Sequence, residues 1–159
     1  MYLYLNTTSH EKIFLALFNK QGKILAKKNI SAIYKHSEKL LSNIIKIVGT
    51  GRDLSKLKGI MVVIGPGSFT SLRIGIATAN TLAWSLKIPI VGVENSPREI
   101  PQSGNSAKGR IISRGKDELD DKTLLDKNFK KILNKHRFKQ ILPQYGRRPN
   151  ITSPKNKGR

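Results

Sequence analysis

Cysteine is absent from the 159 residues, which removes disulfides, thiolate catalysis and cysteine metal sites together. Acidic groups are scarce: ten Asp and Glu stand against thirty Lys and Arg. Within residues 1–94 the carboxylates are Glu11, Glu38, Asp53 and Glu94, and no two are spaced as an acid and base pair. The three histidines, His10, His36 and His136, are too scattered to suggest a local site. A helical His-x-x-x-His pair from His36 would need its second ligand at position 40, where Leu40 stands. No apolar run approaches the ~20 residues that cross a bilayer. The start, Met1-Tyr2-Leu3-Tyr4-Leu5-Asn6, has neither the basic beginning nor the small-residue cleavage pattern of a signal peptide. A cytoplasmic protein without a membrane segment is expected. No nucleophile elbow of the G-x-S-x-G type is present, since Gly67-Ser68-Phe69 does not fit it and no base accompanies it.

What is abundant is positive charge. The formal net charge is +20, with thirteen basic against four acidic residues in 1–94 and seventeen against six in 95–159. Such an excess draws a chain toward polyanions such as RNA by counterion release. It equally keeps a lysine-biased surface solvated, and no aromatic-studded RNA motif accompanies it. A basic RNA-binding module stands as one reading.

Hydrophobic patterning orders the first part of the chain. Residues 2–8, 12–18 and 23–30 read as three strands, with Asn19-Lys20-Gln21-Gly22 as a turn. From 35 to 48 the apolar residues Leu40, Leu41, Ile44, Ile45 and Val48 change to helical spacing, closed by Gly49 and Gly51. The run Gly59-Ile60-Met61-Val62-Val63-Ile64 is continuous and β-branched, the mark of a strand covered on both faces. A helix at 69–87 and a strand at 89–93 complete the order β-β-β-α-β-α-β. A meander followed by two right-handed crossovers predicts an α/β domain, residues 1–94, with a mixed sheet flanked by helices. Beyond Glu94 the chain turns Ser-, Gly-, Pro- and Lys-rich, reading as a linker, then a helix at about 122–135, then an extended basic tail from 143. These last residues, 95–159, are too few to bury a core of their own.

The most specific segment is Gly65-Pro66-Gly67-Ser68-Phe69-Thr70-Ser71-Leu72-Arg73-Ile74-Gly75. It joins a strand to a helix by a tight turn that Gly65 and Gly67 permit and that Ser68 or Thr70 can cap. Such a turn offers backbone N–H groups to an anion. The Lys-Ser/Thr pair of a P-loop is missing, however, and the glycines are not at G-x-G-x-x-G intervals. Nearby chemistry is equally thin, because the first strand ends in Asn6-Thr7-Thr8, and a neutral Asn6 cannot neutralise a divalent cation. In the helix that follows, Ser71, Gly75, Ala79 and Ala83 form a stripe of small side chains, and Arg73 is the sole charge up to Leu86. Apolar on most sides, this helix is buried on more than one, either by its own domain or by a partner helix.

The eleven-residue segment, with Asn6-Thr7-Thr8-Ser9, His36-Ser37-Glu38 and Ile88-Pro89-Ile90-Val91-Gly92-Val93, closely resembles the TsaB (YeaZ) family. The family motif is GPGSFTGLRIG, from which Ser71 alone departs. The resemblance covers residues 1–93, and Pro143 to Ile151 looks like the family's C-terminal end, with a much shortened second domain between. It implies an actin/hexokinase-like (ASKHA, ribonuclease H-like) fold. It also implies a non-catalytic, cofactor-free role in making threonylcarbamoyladenosine at tRNA position 37, paired with the catalytic subunit TsaD, working with the ATPase TsaE, and able to homodimerise. Association through the helices at 35–48 and 69–87 would place Leu40, Ile44, Phe69, Ser71, Leu72, Arg73, Gly75, Ile76, Ala79, Asn80 and Ala83 at a partner interface. On that expectation Gly75→Leu or Ala79→Arg abolishes partner binding and leaves the domain folded. Family members usually have Asp where Asn6 stands, so Asn6, Thr7, Thr8, Gly65, Gly67 and Ser68 read as a vestigial nucleotide site. A nucleotide-binding enzyme-like domain and tRNA contact through the basic tail are the alternatives.

Overall fold

The computed structural model describes residues 1–49, 51–95 and 121–145. The expected linker, and most of the expected extended tail, lie outside these residues. Strands β1 (Tyr2–Asn6), β2 (Lys12–Phe18) and β3 (Ile24–Ser31) form an antiparallel meander. Helix α1 (His36–Val48) and a short 3-10 turn (Gly51–Lys56) lead to β4 (Ile60–Gly65), which lies parallel to β1. Helix α2 (Phe69–Ser85) then crosses over to β5 (Ile90–Glu94), parallel to β4. The five strands run β3-β2-β1-β4-β5, so the mixed sheet and the element order are those the sequence predicts. A further helix, α3, spans Asp121–Leu133.

Alternation along the strands sorts the core into two faces, because successive side chains point to opposite sides of a sheet. Leu3, Leu5, Ile13, Leu15, Ile60 and Val62 face one way, onto Leu40 and Ile44 of α1 and Leu72 and Ile76 of α2. Tyr4, Ala16, Phe18, Met61, Val63, Val91 and Val93 face the other way, onto Leu124, Leu125 and Ile132 of α3. The central strands β1 and β4 are covered on both sides, which is why the β4 run carries no polar residue. Edge strand β3 keeps Lys27 and Lys28 exposed, a charge pattern that discourages pairing with another chain. Leu125 is fully buried although its helix is distant in sequence, so α3 borrows the sheet as the core it lacks.

After α3 the chain passes from one face of the sheet to the other. Phe138 and Ile141 pack on the core beneath α1 and α2. Asn80 of α2 holds Ile141 at both backbone groups, its Nδ2 donating to the carbonyl at 2.8 Å and its Oδ1 accepting from the N–H at 3.0 Å. Gln144 N–H donates to the Ile64 carbonyl at the end of β4, at 2.7 Å. Residues 134–145 thus form a strap that ties the α3 side to the α2 side.

Candidate functional site

The end of β1 and the turn after β4 meet, as a nucleotide cradle would require, but the meeting is closed. Asn6 Oδ1 accepts from the Thr8 N–H at 2.9 Å and from Thr8 Oγ1 at 2.8 Å, a local turn built by its own side chain. Asn6 Nδ2 donates to Asp121 Oδ1 at 2.7 Å, and Tyr4 Oη donates to the same oxygen at 2.8 Å. A carboxylate therefore stands beside Asn6, where an arriving phosphate would be repelled. Across the junction the Ser68 N–H donates to the Thr8 carbonyl at 2.7 Å. Gly67 lies so near Thr8 that an added Cβ would sit 2.6 Å from its Cβ and 2.7 Å from its carbonyl oxygen. Gly65 takes the left-handed φ of 130° expected of a turn glycine, and its open side is filled by the Gln144 carbonyl. Ser68 begins α2 without a side-chain cap, its hydroxyl accepting instead from that of Ser71 at 3.1 Å. Thr7 and Thr8 are buried. Asn6, Thr7, Thr8, Gly65, Gly67 and Ser68 are all brought together, and the chain itself occupies the space between them. Among the described residues no three His, Asp or Glu side chains gather where a metal ion could bind.

Most of the residues expected at a partner interface lie inside the chain. Leu40, Ile44, Ser71, Leu72, Gly75, Ile76, Ala79 and Ala83 are buried inside this chain, so none of them is open to a partner. The reason is geometric: α2 lies beside α1 on one face of the sheet with its small stripe turned into the core, where Gly75 comes down on the end of β1. A Cβ on Gly75 would meet Thr7 Oγ1 at 2.0 Å. Gly75→Leu would therefore break the fold, contrary to the expectation that it would spare it. Asn80 is taken by the strap. Phe69 and Arg73 are the exposed members of the set, with the Arg73 guanidinium 5.3 Å above the Phe69 ring and the Tyr145 ring 4.4 Å from it.

The surface that α2 does present runs through Arg73, Ala77, Thr81 and Trp84, one line at helical spacing. Beside it on α1 Leu41 is 47% exposed. Ala77, Thr81 and Trp84 are not among the residues singled out from the sequence. Asp121 is not singled out at all, and Gln144 and Tyr145 only as part of the Pro143 to Ile151 resemblance; the contacts of all three join segments far apart in the chain and leave no local pattern.

Comparison with known proteins gives a consistent set of relatives. A family model described as "TsaD: tRNA N6-adenosine threonylcarbamoyltransferase" matches residues 23–96. The "tRNA threonylcarbamoyladenosine biosynthesis protein TsaB" of Bacillus subtilis (strain 168) is 57% identical over 44 residues, 28% of this chain and 18% of that protein. The protein of the same description from Buchnera aphidicola subsp. Schizaphis graminum (strain Sg) is 33% identical over 87 residues, 54% of this chain and 40% of its own. The solved structure "YeaZ from Pseudomonas aeruginosa" superposes with a TM-score of 0.52 at 29% identity, covering 59% of this chain and 43% of that one. The matches thus span less than half the length of each of these relatives.

Proposed function

Since the chain belongs to the TsaB/YeaZ family, we propose that it serves threonylcarbamoyladenosine biosynthesis on tRNA as a non-catalytic subunit that docks the transferase TsaD. The observation that carries the non-catalytic part is the hydrogen bond from the Ser68 N–H to the Thr8 carbonyl, which spends a cradle donor on the chain itself. Filling of the same space by Gln144, and the Asp121 carboxylate beside Asn6, point the same way.

The docking surface in this reading is the outward face of the α1/α2 layer, centred on Leu41, Arg73, Ala77 and Thr81. Ala77 and Thr81 are small, so a partner helix can approach closely, and Leu41 supplies apolar area at the side. A second copy of the chain would use the same face in the absence of TsaD.

Co-expression with a bacterial TsaD tests this directly. Leu41→Glu and Ala77→Arg each lose TsaD from the pull-down while the melting curve stays in place, because both side chains point to solvent. Retention of TsaD by both variants overturns the assignment. Calorimetry with Mg-ATP tests the other half: heat of binding at millimolar nucleotide would reinstate the enzyme-like reading.

A further inference from the structure

At the C-terminal end of α2 the strap closes a shallow pocket of about 470 Å³ lined by Trp84, Ser85, Lys87, His136, Arg137 and Phe138. Trp84 is 69% exposed, although an indole normally buries most of its surface. No acidic residue is among the lining groups, and the strap adds Lys135 and Lys139 on either side of His136, Arg137 and Phe138. Lys87 sits at φ 53°, the left-handed position that ends a helix and is ordinarily given to glycine. Its N–H donates to the Trp84 carbonyl at 3.1 Å and the Ile88 N–H to the Ala83 carbonyl at 3.0 Å. That turn fixes the ammonium-bearing residue beside the indole at a cost in backbone strain that a glycine would have avoided.

An exposed indole in a pocket lined also by Lys87 and Arg137 suits a nucleobase whose flanking phosphates need neutralising. We propose that this pocket binds single-stranded RNA, with a base stacked on Trp84 and its neighbouring phosphates held by Lys87 and Arg137. A duplex keeps its bases stacked on one another, so the recognised element is a loop or an unpaired end. The choice of RNA over DNA rests on the proposed role in tRNA modification; the stacking pocket does not. The site lies on the folded part of the chain, at the C-terminal end of the α2 line whose middle carries Ala77 and Thr81.

Trp84 is the one tryptophan of the sequence, so stacking on it reads out in intrinsic fluorescence. The full chain is titrated with a fluorescein-labelled unstructured 12-nucleotide RNA, following anisotropy in one arm and, with unlabelled RNA, indole quenching in the other. Quenching is expected to track the anisotropy isotherm. Trp84→Ala weakens affinity about 5- to 150-fold, the loss typical of one stacked base, while Trp84→Phe keeps most of it. Lys87→Gln and Arg137→Gln each lower the slope of log affinity against log salt by roughly 0.7. Anisotropy that saturates without quenching, or that Trp84→Ala leaves unmoved, overturns the pocket and assigns binding to the basic surface at large. Equal binding of the matching DNA overturns the assignment to RNA. Trp84→Ala should still co-purify with TsaD; loss of TsaD with RNA affinity intact would make the pocket a protein contact instead. Failure of the TsaD reading shows in the Leu41→Glu and Ala77→Arg pull-downs, so the two proposals fall separately.

Discussion

Replacing Gly75 by alanine should destabilise the protein, although alanine is the better helix former. In an ordinary exposed helix interior the exchange gains about 1 kcal/mol. Here the new methyl group would arrive 2.0 Å from Thr7 Oγ1 and 2.9 Å from Thr7 Cγ2, with β1 and α2 both anchored in the core. Overpacking of this kind costs ~1–3 kcal/mol, and so deep an overlap belongs at the upper end of that range. The net loss is therefore about 2 kcal/mol, or a fall in Tm of roughly 4–8 °C for a chain of this size. Thr7→Ala supplies the control. Thr7 Oγ1 is buried without a protein hydrogen-bond partner, so deleting it sacrifices no bond, and its removal clears the two nearest atoms. The double variant should regain most of the loss, giving a coupling energy of about 1–2 kcal/mol in the cycle of two single and one double replacement. Urea unfolding followed by circular dichroism measures all four proteins. A Gly75→Ala variant more stable than the parent, or a double variant that merely adds the two single effects, refutes the idea that α2 rests on the β1 end.

Other consequences follow from the contacts that hold the second face and the strap. Leu125→Ala removes a fully buried side chain between α3 and the sheet and should cost ~2–5 kcal/mol in one cooperative transition; a loss under ~0.5 kcal/mol would detach α3 from the fold. Asn80→Ala strips Ile141 of both its side-chain bonds, so amide exchange at Ile141 should accelerate far more than at β4, with a total loss of about 1–3 kcal/mol. Uniform exchange across the chain would argue against a separable strap. Asp121→Ala leaves the Tyr4 hydroxyl and the Asn6 amide without this acceptor, whereas Asp121→Asn keeps one oxygen, so alanine should be worse by ~1 kcal/mol in thermal unfolding.

The sheet was legible because its information is local. Unbroken apolar runs in 13–18 and 59–64 and period 3.6 in 35–48 each report how many faces of an element are covered. The glycine turn was legible for the same reason, since Gly65 and Gly67 answer to the backbone around them. Small residues are less informative. The Ser71, Gly75, Ala79 and Ala83 stripe announces that something approaches closely, but a neighbour inside the same chain and a partner outside it demand the same side chains. Asp121 shows the limit most plainly: its bonds to Tyr4 and Asn6 span 117 and 115 positions, and nothing in a window of ten or twenty residues encodes such a pairing.

The two-sided core also sets an order of events as the chain leaves the ribosome. Once Glu94 has emerged, all five strands and both α1 and α2 are present, yet Tyr4, Phe18, Met61, Val63, Val91 and Val93 still await their cover. That cover is supplied when Leu124, Leu125 and Ile132 arrive, so for the interval of their synthesis the nascent protein carries a bare aromatic and β-branched face. Such a face is what chaperones capture and what seeds aggregates. Conditions that stall translation between those points should therefore harm the yield of this protein more than a stall before β4, where no finished sheet yet exists to expose.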